Sequence, residues 1–147
     1  MMPHLPSHLL VAAQFAGIAI TLWPWHAPDG SAVLALLLGA AGGALAIATL
    51  AHNRIGNFSV YPEPHAHARL VTSGPYAWVR HPMYSALLLL MAGAAAWYAH
   101  LANVAGVVLV LAAVVGKARR EEAYLLVRFG EYAAYRQRTH RFIPYLF

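Results

Sequence analysis

At 147 residues the chain has room for one domain, and its composition, 61% hydrophobic against 10% charged, is far from the roughly 25% charged residues of a soluble domain. It carries a net charge of +5 and no cysteine, which excludes disulfide staples, thiolate metal sites and a cysteine nucleophile. No basic platform interleaved with aromatic residues is present, so the positive charge does not point to nucleic acid.

The opening MMPHLPSHLL lacks the basic start and small-residue cleavage site of a secretory signal, so the first apolar run is expected to be a mature span. Four apolar runs follow, Leu9 to Trp25, Ala32 to Ala51, Met83 to Ala99 and Leu101 to Gly116. Crossing about 30 Å of hydrocarbon at about 1.5 Å per residue takes about 20 residues, with about 17 near the lower limit. The second run is comfortable and the others are short. Trp23, Trp25, Trp97 and Tyr98 end runs one and three, where amphipathic rings favour the headgroup zone. Pro24, Pro28, Asp29 and Gly30 supply turn chemistry, and His100 and Asn103 mark a tight return between runs three and four. Gln14 predicts an interhelical hydrogen bond, while Gly39, Gly42, Gly43, Gly93 and Ala94 permit close helix contact.

Charge placement predicts the topology. Arg54, Arg69 and Arg80 follow the second run, and Lys117, Arg119, Arg120, Arg128, Arg136, Arg138 and Arg141 follow the fourth. Four crossings put all of them on one face, which the positive-inside rule makes cytoplasmic, with both termini there and an inner or plasma membrane as the setting. Such a face also attracts anionic lipid. The loop His52 to His81 is too rich in proline and glycine for a long helix, and its His65 and His67 lack the further ligands a metal site needs. Lys117 to Arg138 has helical spacing, with Glu121, Leu125 and Phe129 on one stripe and Arg119 and Arg128 available to the acids, so it predicts an amphipathic helix continuing the fourth span. Tyr132 and Tyr135 with Phe129 are expected to anchor that helix at the interface, and FIPYLF forms an apolar tail returning to membrane or protein. The expected architecture is one all-α membrane domain over residues 1–147, with about four transmembrane helices, a cytoplasmic loop and a C-terminal amphipathic helix.

Two groups of residues carry chemistry. Proline is favoured at the first helical position and pushes the preceding residue out of the helical region, so His81 caps the third span at Pro82. The free N–H groups of that first turn, the helix dipole and Arg80 together suit an anion such as a carboxylate. Tyr76, Trp78 and Tyr84 add ring faces and hydroxyls. Glu121 and Glu122, two adjacent acids just past a span, are costly near lipid without partners. They suit an ammonium group or ribose hydroxyls. A zwitterionic, nucleotide-like ligand satisfies both groups.

LVTSGPYAWVRHPMYSA followed by EEAYLLVRFGEYAAYRQRTHRFIP resembles the isoprenylcysteine carboxyl methyltransferase family and the related phospholipid N-methyltransferases, over roughly the C-terminal half of the chain. The resemblance implies an integral membrane methyltransferase that uses S-adenosylmethionine, releases S-adenosylhomocysteine, and acts on a lipophilic small molecule, a lipid or a prenylated acceptor. It places the cofactor on Ala68, Arg69, Leu70, Val71 and Tyr76 of the loop, on Arg80, His81, Pro82 and Tyr84, and on Glu121 and Glu122, the first being the stronger ligand. The cofactor motifs then lie within residues 68–144. It implies that the triplet holds the methionyl carboxylate, and that His81 or a glutamate takes the proton of an amine or thiol acceptor.

The position that contacts substrate in the prenylcysteine enzymes falls on Lys117, which keeps the charge and loses the bidentate fork of arginine, a departure that bears on a prenylcysteine carboxylate as substrate. Arg119 or Arg120 is the alternative source of that fork. Ala86 stands where glycine is usual. The rival reading from another class is a non-catalytic membrane module, a small transporter subunit or an assembly scaffold, which predicts no binding of S-adenosylmethionine. The lack of a charge within the spans weighs against transport.

Overall fold

The structure, a computed structural model, describes residues 6–53, 57–64 and 67–145. Arg54 and His65, named above in the charge pattern and the histidine pair, lie outside them. The described chain is helical: α1 Ser7–Leu22, α2 Ala32–Asn53, α3 Pro82–Tyr98, α4 Leu101–Arg128 and α5 Tyr132–Gln137, with a 3₁₀ turn at Gly74–Ala77. In the proline-rich connection between α2 and α3 the described 3₁₀ turn at Gly74–Ala77 stands just ahead of α3.

Local sequence sets the ends. His81 leaves the helical region ahead of Pro82, and its carbonyl accepts from the backbone of Tyr84 and Ser85 to begin α3. α3 stops where Ala99 turns left-handed at φ 52°, and His100 then caps α4, its ring Nδ1 accepting from the Ala102 amide. Asn103 is part of the first turn of α4 and not of the return itself. Its amide nitrogen donates to the carbonyls of Thr21 (2.7 Å) and Trp23 (3.0 Å), tying the end of α1 to the start of α4.

The helices alternate in direction, with α2 packed on α3, α1 on α4, and α3 joined to α4 as a hairpin. Gly42 and Gly93 serve the α2–α3 contact, since a Cβ on either meets the facing helix. Gly17 and Gly106 do the same between α1 and α4, where a Cβ would meet Val110 and Thr21, two contact glycines the sequence reading passed over. Gly39 and Gly43 face open space. Met91, Val110, Val114, Ala118 and Phe142 form the buried core. Leucines and valines of α2 and α4, among them Val33, Leu36, Leu37 and Val108, stay exposed along the outside. α2 and α4 are long and apolar enough to cross a membrane, whereas α1 and α3, at 16 and 17 residues, are shorter.

The expected amphipathic helix Lys117 to Arg138 is not continuous. α4 runs straight from its apolar part to Arg128, then Phe129 turns extended and Gly130 follows, and α5 starts afresh at Tyr132. The break swings Tyr132 and Tyr135 inward. Both are buried, so they are not interface anchors as expected; the bend aims their rings at the protein.

Candidate functional site

The starts of α1 and α3, the ends of α2 and α4, and α5 meet at one end of the bundle. A cleft with about 860 Å³ of empty space, counted out to its open mouth and so including solvent, lies between them. Ala68, Arg69, Leu70, Val71, Tyr76, Arg80, His81, Pro82, Tyr84 and Glu121 all line it, so loop and helix residues expected to act together do share one wall. Glu122, Lys117 and Arg120 are not on that wall.

The two adjacent glutamates divide the work. Glu122 is buried, 3% exposed, and is the centre of an ionic cluster. Arg141 grips it with two N–H groups, Nε at 3.1 Å and a terminal nitrogen at 2.9 Å. Arg80 Nε donates to it at 3.0 Å and His81 Nε2 at 3.2 Å. The pairing with Glu122 raises the pKa of the Arg141 guanidinium against the opposing effect of burial. Glu121, one residue earlier, faces the cleft. Its Oε2 accepts from the Tyr84 hydroxyl at 3.4 Å and stands 3.6 Å from His81 Nδ1. The expected partners Arg119 and Arg128 do not hold these acids, because they leave α4 on other faces: Arg119 is exposed and Arg128 donates to the Ala68 carbonyl.

This geometry changes the part expected of Arg80. Its Nε donates to Glu122 and one terminal nitrogen to the carbonyls of Arg136 and Thr139, so part of the guanidinium is used in holding the protein together. Lys117 is 2% exposed and donates to Gln14 Oε1 at 2.6 Å, with its ammonium 5.3 Å from the Tyr84 ring centre. Gln14 thus makes the interhelical bond expected of it, and its partner is the lysine. Arg120 lies 3.7 Å from Glu63, which also takes the Ser7 hydroxyl and so joins the loop to α1 and α4.

The segment after α5 is part of the site. The backbone of Arg80 and His81 donates to the carbonyls of His140 and Arg141, and Ser85 Oγ donates to the Phe142 carbonyl at 2.7 Å. Phe142 lies against His81 and Tyr84, whose rings stack at 5.5 Å and 18°. The apolar tail therefore folds back on protein through Phe142, while Ile143 and Tyr145 remain exposed.

Sequence reasoning missed Asn53, Asn57, Phe58, Met83, Leu125, Tyr132 and Tyr135, which also line the cleft. Asn53 and Asn57 carried a signal, as polar residues directly beyond an apolar run. Asn53 donates to the Tyr76 hydroxyl at 2.8 Å, and Asn57 holds both backbone groups of Arg69, fixing the loop. The Tyr135 hydroxyl donates to the Tyr76 carbonyl at 2.7 Å. Burial pushes its pKa up to about 12, and burial likewise raises that of Tyr76, so both hydroxyls keep their protons.

Comparison with known proteins places the chain in a family. One similar protein is the cobalt-zinc-cadmium resistance protein CzcN of Cupriavidus metallidurans, 41% identical over 78 residues, which cover 52% of this chain and 36% of that protein. The chain thus aligns with about a third of that relative's length. The family model for phospholipid methyltransferase matches residues 31–132. That span takes in α2, the loop, the start of α3 and both glutamates, so the resemblance read from the RHPMY and EE motifs holds. It covers more than half of the sequence, and the chain belongs to the phospholipid methyltransferase family of membrane methyltransferases.

Proposed function

We propose that this protein binds S-adenosylmethionine in the cleft and transfers its methyl group to a lipophilic acceptor that enters from the membrane. The observation that carries this reading is the meeting of Glu121, Tyr84 and His81 on one wall, with Tyr76 and Asn53 on the same cleft. The donor set fits the cofactor: a carboxylate for a cationic centre, ring faces for a flat base, and polar groups for hydroxyls. S-adenosylmethionine supplies a methyl already activated on a sulfonium, so the protein needs no nucleophile of its own.

What the residues contribute is alignment and a dry surface. Glu121 orients positive charge, while Phe58, Leu70, Val71, Met83 and Leu125 line the cleft with apolar surface that limits water. An amine or thiol acceptor must give up a proton. His81 Nδ1 is placed to take it, being the ring nitrogen left after Nε2 donates to the Glu122 carboxylate.

A prenylcysteine carboxylate is the less favoured acceptor. Lys117 donates to Gln14, Arg120 lies beside Glu63, and Arg80 shares Glu122 with Arg141 and His81. Glu121 places a negative charge on the cleft wall beside Tyr84 and His81, which suits an amine-bearing lipid or a small lipophilic thiol.

The same proposal takes all four long helices across the membrane. α1 lies antiparallel to α4, and α3 to α2, so the two shorter helices occupy the same depth as the two that are long enough to cross. The cationic loop and the segment after α4 then face the cytoplasm.

Titration of the detergent-purified protein with S-adenosylhomocysteine, followed by a radiolabelled methyl screen over membrane extracts, tests the reading. Glu121→Gln and His81→Ala are expected to weaken binding about tenfold or more while the protein stays folded. A wild-type protein that does not bind, or wild-type affinity in both variants, refutes it. The non-catalytic module predicts the first of these results.

A further inference from the structure

One polar group on the cleft wall has no work within the protein. Tyr132 opens α5 and is 1% exposed, and its hydroxyl has no hydrogen-bond partner among the described residues. A buried hydroxyl left unpaired is costly, and the few that occur call for an explanation. Its surroundings supply none of a structural kind.

The ring itself is firmly placed. The Tyr132 amide donates to the Phe129 carbonyl at 3.0 Å, and the ring meets Tyr135 edge-on at 5.7 Å. Tyr135 in turn is fixed through its hydroxyl to the loop at Tyr76. Both tyrosines line the same cleft as Glu121 and His81. Burial raises the Tyr132 pKa, with Glu122 adding to it and Arg80 opposing, so the hydroxyl is a proton donor at physiological pH. Of the neighbouring Arg80, Nε is engaged with Glu122 and one terminal nitrogen with the carbonyls of Arg136 and Thr139. The phenol is a buried donor on this side with no partner among the described residues.

We propose that the Tyr132 hydroxyl is a binding group for the ligand of the cleft, donating a hydrogen bond to an oxygen acceptor on the bound cofactor. This rests on the reading of the cleft as a site for S-adenosylmethionine. The unpaired hydroxyl is then a group whose partner arrives with the ligand, and the bend at Phe129–Gly130 that creates α5 exists in part to present it.

Tyr132→Phe removes the hydroxyl and keeps the ring, and two measurements are made on the full chain in detergent. Affinity for S-adenosylhomocysteine is expected to fall about tenfold, while the melting temperature of the ligand-free protein stays the same or rises, because an unsatisfied buried group has been taken away. That opposite movement separates a binding role from a structural one. A parallel titration with 5′-methylthioadenosine, which keeps the nucleoside and has no carboxylate, tells which oxygen is met: loss confined to S-adenosylhomocysteine assigns the carboxylate, and loss with both assigns the ribose. Unchanged affinity in a variant of unchanged stability overturns the inference alone. So does weaker binding accompanied by a lower melting temperature. A wild-type protein that fails to bind S-adenosylhomocysteine overturns the proposed function and this inference with it.

Discussion

Replacing Glu122 by glutamine tests whether two neighbouring acids have separate tasks. Glutamine keeps the volume and an acceptor oxygen but removes the charge that holds Arg80, Arg141 and His81 together. A hydrogen bond to a charged group contributes about 1.5–3 kcal/mol and a neutral one about 0.5–1.5 kcal/mol, so each of three partners loses about 1 kcal/mol. The total, about 3 kcal/mol, matches the 3–5 kcal/mol typical of breaking a buried ion pair, and the side chains here are only 3%, 8% and 14% exposed for Glu122, Arg80 and Arg141. For a chain of this size the melting temperature is expected to fall by roughly 10 °C, followed by intrinsic tryptophan fluorescence in detergent. Glu121→Gln, at a side chain 32% exposed whose hydrogen-bond and ion-pair partners among the described residues are Tyr84 and His81, is expected to shift it by no more than a few degrees. Equal effects of the two substitutions on stability, or a Glu122→Gln protein as stable as wild type, would refute the division.

Three further outcomes follow from the packing and topology. Gly106→Leu pushes a side chain into Thr21 and the α1 backbone, so α1 is expected to separate from α4, read as lost monodisperse elution in detergent, whereas Gly43→Leu faces open space and is expected to elute normally. Asn103→Ala strips the carbonyls of Thr21 and Trp23 of their buried partner, and a loss of about 1–3 kcal/mol is expected in thermal unfolding. Because the chain has no cysteine, single cysteines report topology directly. Ala27→Cys and Ser73→Cys are expected to react with a membrane-impermeant maleimide from opposite sides of the membrane, and labelling from the same side rules out the four-crossing arrangement.

Much of this protein is written locally. The apolar runs fix which segments become helices, because hydrocarbon length and backbone hydrogen bonding leave few alternatives. Pro82 fixes where α3 begins, since proline at the first helical position forces His81 out of the helix and to its mouth. The ordered RHPMY and EE motifs, with the loop that the family resemblance put before them, grouped ten residues that line the cleft before any packing was known.

Only the tertiary structure decided how those residues share the site. Consecutive residues on a helix diverge by about 100°, so Glu121 and Glu122 had to face different surroundings, and which one met the cleft depended on how α4 is rotated against α3. The same rotation buried Lys117 against Gln14, a partner 103 positions away, and left the fork of Arg141 on Glu122. The bend at Phe129–Gly130 turned Tyr132 and Tyr135 from expected interface anchors into cleft wall. Periodicity records that a side chain has a face; contacts between distant segments determine what that face meets.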